Sequence, residues 1–232
     1  MDKKLQFVHI GKCGGSTVAS VLKQSKLISS QYALIYESHI NGVIADSSCD
    51  YLFCIRNPID RAFSAFEWRK KLVVDDVDPD QVKRFPGERK ILRKYKSLGS
   101  LARNLYLGDD RRLDQAVARD FRSVHHLRES ISFYCRPLLD VLTPGNILGV
   151  ICQESLVADC ARILSVNVEE VRERRNTSKR LIERDMDAHA VRNLKRFLID
   201  DYQCITALWS LGALSDQQFW RVMTSSVETP LT

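Results

Sequence analysis

Apolar and polar positions follow one another along this chain in blocks whose lengths predict strands and helices in turn. Residues 5–10 form a nearly unbroken apolar run that predicts a buried strand, and Val18, Val21 and Leu22 then recur at helical spacing over 16–24. A short β-type run, Tyr32-Ala33-Leu34-Ile35-Tyr36, ends at Glu37-Ser38-His39, and a third strand over 50–55 is stopped by Arg56-Asn57-Pro58. Beyond Pro58 the period becomes helical, with Ala62, Phe63 and Phe66 on one face. The stretch 74–80 is acidic and broken by Pro79, which predicts an exposed excursion, and 88–142 is mostly helical in pattern, punctuated by Gly99, Gly108 and Pro137. A fourth strand over 146–151 follows the turn Thr143-Pro144-Gly145. A helix over 155–164 comes next, then a long amphipathic helix over about 187–209 that turns Val191, Leu194, Leu198, Ile205 and Leu208 inward. The tail 225–232 reads as loose.

Strands separated by helical or irregular crossovers imply parallel pairing. The expected class is therefore α/β: one domain over 1–232, with a P-loop-like three-layer arrangement of a central, mainly parallel sheet flanked by helices. In such sheets ligands gather at the carboxyl ends of the strands. The loop beginning at Gly11, His39 and Arg56 should then face one another.

Charge narrows the partners. Lys and Arg outnumber Asp and Glu by 35 to 29, a net charge of +6 that favours anionic ligands. Basic residues are mixed with acidic ones, as over 169–180, so a nucleic-acid-binding tail is not indicated and most of them read as solvated helix faces. Seven cysteines, at 13, 49, 54, 135, 152, 160 and 204, contain no C-x-x-C pair. That argues against a zinc cluster or a disulfide framework and for a reducing compartment. The first apolar run is too short for a signal peptide or a membrane span, so a cytoplasmic location without stable membrane insertion is expected.

The chemistry concentrates where the first strand meets the first helix, at Gly11-Lys12-Cys13-Gly14-Gly15-Ser16-Thr17. Glycines let the backbone approach an anion, the first helical N–H groups point at it, and Lys12 adds a mobile positive charge. The Walker A order G-x-x-x-x-G-K-[ST] is not met, because Lys12 precedes Gly14-Gly15. An ordinary glycine-rich strand-to-helix turn is the plain alternative. The stretch resembles the 5′-phosphosulfate loop of sulfotransferases that use 3′-phosphoadenosine-5′-phosphosulfate (PAPS), in particular the carbohydrate 2-O-sulfotransferase branch and its bacterial relatives, whose loop reads h-h-H-I-P-K-T-G-G-T-S. This chain departs from it at Gly11, at Cys13 and in the order Ser16-Thr17.

A second motif, Cys54-Ile55-Arg56-Asn57-Pro58-Ile59-Asp60-Arg61-Ala62-Phe63-Ser64, resembles the 3′-phosphate element of the same family. The resemblance implies that Arg56, leaving a strand, and Ser64, about two turns into the next helix, hold one phosphate between them. ATP has no 3′-phosphate, so such a clamp separates PAPS from ATP. A helix opened by Asn-Pro, with Arg61 solvated and Ser64 neutral, is the alternative. A third segment, Asn176-Thr177-Ser178-Lys179 in a basic run, resembles the late loop that lies over the cofactor; a basic turn capped by Asn176 is its plain reading. Gln153-Glu154-Ser155-Leu156 through Asp159 resembles a family strand-to-helix junction and reads as structural.

What the resemblance implies is sulfuryl transfer from PAPS to an acceptor hydroxyl, on a carbohydrate or glycolipid, leaving PAP and needing no metal. In-line displacement needs positioning, charge stabilisation and a base. Lys12 suits the leaving phosphate. His39 is the chosen base, because imidazole accepts a proton near pH 7 and the residue falls at a strand end, with Glu37 the second candidate. His9 reads as packed against the site rather than catalytic, His125-His126 as adjacent helical residues pointing apart, and His189 as helix surface. Cys13 reads as a replacement for threonine that lends its backbone N–H. Trp68, Trp209 and Trp220 read as core or rim packing. Residues 70–142, helical and outside all three motifs, are expected to carry acceptor specificity. Two rival classes share these features: a small-molecule kinase with a degenerate phosphate loop, requiring Mg²⁺ and ATP, and a non-catalytic polyanion-binding protein with strong salt dependence.

Overall fold

The computed structural model describes residues 3–39, 42–108, 112–174 and 185–224. The chain is α/β and divides into two compact units, one of Met1–Asn57, Ile131–Arg180 and Asp201–Thr224, the other of Pro58–Ser130, Leu181–Asp200 and Ser225–Thr232.

The first unit opens with β1 (Lys4–His9), α1 (Gly15–Leu22), α2 (Lys26–Gln31), β2 (Leu34–Ser38) and β3 (Cys49–Ile55). The helix α2 has no apolar period in the sequence. It is set by Ser25, whose side chain accepts from Ile28 N–H as an N-cap while its hydroxyl donates to Leu164 O. Because α2 runs to Gln31, β2 begins two residues later than the apolar pattern suggests and carries Glu37 and Ser38 inside the strand.

The second unit begins at α3 (Pro58–Lys70), which passes into a π-helical turn over Lys71–Asp75 and then α4 (Pro79–Arg84). The acidic stretch 74–80 is mostly exposed, as expected, but it is not irregular: it spans the end of the π-helical turn and the start of α4. Val73 is buried, and Asp78 caps α4 by accepting from Asp80 and Gln81 N–H with Pro79 in the first helical turn. There follow α5 (Glu88–Tyr95), α6 (Leu98–Arg103), the two-stranded pair β4 (Tyr106–Leu107) and β5 (Arg112–Leu113), and α7 (Gln115–Arg122). His125 and His126 lie beyond α7 rather than on a helix. Their rings stack at 4.1 Å, with His126 in the left-handed region at φ 67. Arg61 is buried, not solvated, and donates to His126 O at 2.8 Å and to Glu129 O.

Returning to the first unit, α8 (Ile131–Cys135) and a 3₁₀ turn over Arg136–Leu138 precede β6 (Ile147–Cys152), a 3₁₀ turn over Gln153–Ser155, α9 (Leu156–Leu164) and α10 (Val168–Arg174). The expected long helix over 187–209 is two: α11 (Ala188–Phe197), in the second unit, and α12 (Ile199–Ser210), in the first from Asp201 onward. The break falls at Leu198, where the backbone leaves helical geometry at φ −96, ψ 19. The apolar spacing runs on in register across that break, so the sequence alone does not mark it. The last helix is α13 (Asp216–Met223), opened by a capping box between Ser215 and Gln218.

The sheet has order β2-β1-β3-β6, all pairs parallel. Its inner strand β3 is buried at all seven positions, as a parallel strand covered on both faces must be. Helices α1, α9 and α10 pack on one another, and Ile131, Tyr134, Cys135, Cys204, Ile205 and Leu208 from α8 and α12 join the same core as the strands. All seven cysteines are buried, and none of them forms a disulfide. No helix among the described residues is long and apolar enough to cross a membrane.

The second unit is organised by one buried ion pair. Arg69, on α3, donates to both carboxylate oxygens of Glu88, at 2.9 Å from Nε and 2.7 Å from Nη2, and to Gln81 at 2.8 Å. Glu88 stands in the first turn of α5 and also accepts from His125 N–H at 2.8 Å. Removing one partner leaves an uncompensated buried charge. Arg69→Met is expected to cost about 3–5 kcal/mol, read as a lowered urea midpoint, and the double variant R69M/E88L to recover most of that loss.

Candidate functional site

Strand order reverses at β1: the chain moves from β1 outward to β2, then returns to place β3 on the other side of β1. Loops leaving β1 and β3 on the carboxyl side therefore flank a crevice, the position where parallel α/β sheets bind ligands. Residues 10–14 leave β1, and Arg56-Asn57 leaves β3.

The loop is shaped by two left-handed residues, Lys12 at φ 70 and Gly14 at φ 85. For lysine that conformation costs on the order of 1–2 kcal/mol, so its surroundings must impose it. Those surroundings come from β3. The Cys54 thiol donates to Cys13 O at 2.7 Å, and Arg56 Nη1 donates to Lys12 O at 3.4 Å. Burial pushes the Cys54 thiol well above its ordinary pKa, so it keeps its proton and serves as a donor. A trans peptide points C=O and N–H in opposite directions. Pinning the Cys13 carbonyl toward β3 therefore aims the Gly14 N–H away from it. Cys13 N–H itself closes a turn onto Ile10 O at 3.3 Å, so it is spent within the loop. The N–H groups of Gly14, Gly15 and Ser16 have no acceptor among the described residues and form the donor set at the start of α1. Ser16 is exposed at this turn and Thr17 is buried beneath it.

Gly15 is required by contact with the His9 ring, and Gly14 by its left-handed backbone. A Cβ on Gly15 would lie 1.9 Å from the His9 ring, and one on Gly14 would lie 2.2 Å from Gln153 Oε1. Gln153, at the carboxyl end of β6, thus forms a wall of the loop, and its buried Oε1 has no hydrogen-bond partner among the described residues. The neighbouring Glu154 accepts from Asn57 N–H at 2.8 Å, and Asn57, fully buried, donates to Val222 O at 2.7 Å. The junction 153–159 therefore ties the end of β3 to α13. Nothing in the spacing of Asn57, Glu154 and Val222 signals that connection.

On the other side of β1, His9 Nδ1 donates to Glu37 Oε1 at 2.6 Å, and His39 Nδ1 donates to His9 O at 3.0 Å. The His9 and His39 rings stack at 4.3 Å. Burial draws the His9 pKa below its ordinary value. The Glu37 hydrogen bond opposes the shift and the neighbouring His39 adds to it. Donation from Nδ1 makes Nε2 the acceptor nitrogen of His39, the form that can take a proton. Glu37, the second candidate base, is already engaged by His9.

Of the residues singled out in the sequence, Gly11 to Thr17, Glu37, His39 and Arg56 converge at the carboxyl end of the first unit's sheet. Ser64 is half-buried on the second turn of α3, in the second unit. Asn176, Thr177, Ser178 and Lys179 lie outside the described residues, as does 225–232. His189 is at the surface of α11, and Trp68, Trp209 and Trp220 are exposed.

No family model, curated protein or solved structure matches this chain.

The geometry of the site makes a sharp test of the His9–Gly15 contact. Alanine is favoured over glycine in a helix by about 1 kcal/mol, yet Gly15→Ala is expected to destabilise by about 1–3 kcal/mol in urea denaturation, because the His9 ring occupies the methyl position. In a His9→Ala background, where that ring is absent, the same substitution should be neutral or stabilising.

Proposed function

We propose that this chain transfers a sulfuryl group from PAPS to an acceptor hydroxyl, on a carbohydrate or glycolipid. The observation that carries the reading is the loop after β1, with its outward N–H groups of Gly14, Gly15 and Ser16, its lysine, and an arginine from β3 bonded to its carbonyl. This set of converging donors suits a phosphate. The order of Lys12 and the glycines argues against a Walker-type ATP loop. The motif from Arg56 to Ser64 resembles an element for a 3′-phosphate, which PAPS has and ATP lacks.

The donor supplies an activated sulfuryl group whose leaving group is a phosphate. In this reading the loop N–H groups and Lys12 hold that phosphate and offset the charge gathering on it as the S–O bond breaks. His39 accepts the acceptor hydroxyl's proton at Nε2 as the new O–S bond forms, and its Nδ1–H bond to the His9 carbonyl keeps the tautomer and orientation needed. Glu37 serves His9 instead.

A thermal-shift titration tests this against the rival classes. PAP, the desulfated product, at about a hundred times its dissociation constant should stabilise the protein by about 2.7 kcal/mol, with ADP much weaker and Mg²⁺ without effect. A shift confined to Mg-ATP would replace this reading with a kinase. Heparin-like polyanions acting alone, with steep salt dependence, would replace it with a polyanion-binding protein. Lys12→Ala should abolish transfer. His39→Ala should lower turnover by about 10²–10⁴-fold while PAP still binds, and full activity in that variant would remove His39 as the base.

A further inference from the structure

The His9 imidazole ends β1 and is confined by every element around it. Glu37 of β2 accepts from Nδ1, and the His39 ring, just after β2, stacks on one side. Phe7 of β1 stacks at 5.5 Å, and Gly15 of α1 lies against the ring edge. Cys54, its register neighbour on β3, is an uncharged thiol. The ring's side chain is 13 % exposed.

Nε2 is the nitrogen turned toward the loop. It would lie 2.2 Å from a Cβ on Gly15, which places it over the first residue of α1, beside the N–H groups that form the donor set. Among the described residues no group hydrogen-bonds Nε2. With Nδ1–H held by Glu37, a neutral ring presents a lone pair there, and a lone pair opposes an anion oxygen. The ring has little room to turn away, because Glu37, His39 and Gly15 hold it on three sides. The remaining response is chemical.

We propose that His9 is a proton-coupled positioning residue of the phosphate loop: an anion entering the loop draws a proton from solvent onto the imidazole, which then donates from Nε2 to the anion while Nδ1–H stays on Glu37. The proposal rests on the phosphate-loop reading above. The groups facing His9 suit such a switch. Glu37 favours the imidazolium, whereas burial and His39 oppose it and keep the ring neutral when the loop holds no anion. A ligand carrying two or more negative charges tips that balance. By linkage the anion-bound pKa then lies above the anion-free one. Affinity should rise as pH falls through the bound value, level off below the free value, and show no contribution from this group above the bound value.

The test is imidazole ¹H–¹⁵N NMR of the full chain at pH 7.5, with and without saturating PAP. Only five histidines are present, and His9→Gln assigns the His9 signals. Without PAP, His9 should show the neutral Nδ1–H tautomer, and with PAP both of its nitrogens should read as protonated. A neutral His9 with PAP bound, binding being established by the thermal shift, overturns this proposal and leaves the loop assignment standing. Failure of PAP to bind overturns both. The pH dependence of PAP affinity supplies a second readout. Phosphate groups of the ligand titrate near pH 6 themselves, so the comparison is with His9→Gln, whose amide donates near the Nε2 position without titrating. Wild type should gain up to about tenfold more affinity per pH unit than the variant between the two His9 pKa values. Equal slopes overturn the proposal.

Discussion

Two hydrogen bonds, from Cys54 of β3 and from Arg56 just after it, to the carbonyls of residues 13 and 12 fix the direction of the loop's N–H groups. A strand-to-helix turn of five residues offers both its C=O and its N–H groups to the surroundings, and only one set can face a ligand. The Cys54 thiol and the Arg56 guanidinium take the carbonyls. Planarity of the peptide then turns the Gly14 N–H the other way, and the helix start adds Gly15 and Ser16. The strain of Lys12 in the left-handed region is held in place by the same two donors. A buried cysteine serves here for a physical reason: its thiol is small, neutral and protonated, so it donates where a charged group would be costly to bury.

Much of this was legible in the sequence because it is local. The apolar run over 5–10, the glycines and the Arg-Asn-Pro stop after β3 are each set by neighbours within a few residues. Parallel pairing and convergence at the carboxyl ends followed from the crossovers. What was not legible depends on register. Phe7 pairs with Glu37 and Val8 with Ser38, so Glu37 comes within reach of His9 only because α2 delays the start of β2. A polar helix capped by a single serine leaves no apolar period to betray it. The same holds for Asn57, whose bonds to Glu154 and Val222 join residues 97 and 165 positions away.

The second unit shows the complementary limit. Its helical content was evident, but its organisation rests on Arg69 and Glu88, two residues that charge patterning assigns to solvent. A bidentate pair at 1 % exposure for each residue is a geometric solution, not a compositional one. The acidic stretch beside it is mostly exposed, as its composition implies, yet Asp78 there satisfies the first N–H groups of α4, a local role that a count of charges does not reveal.

The two stacked histidines divide their work by what each Nδ1 touches. His9 gives its proton to a carboxylate, which favours the imidazolium, whereas His39 gives its proton to a carbonyl, which carries no full charge to do so. Rings 4.3 Å apart cannot both be cationic without like-charge repulsion. Glu37, hydrogen-bonded to the His9 Nδ1–H, favours a positive charge on that imidazole, while the stacked His39 ring opposes it.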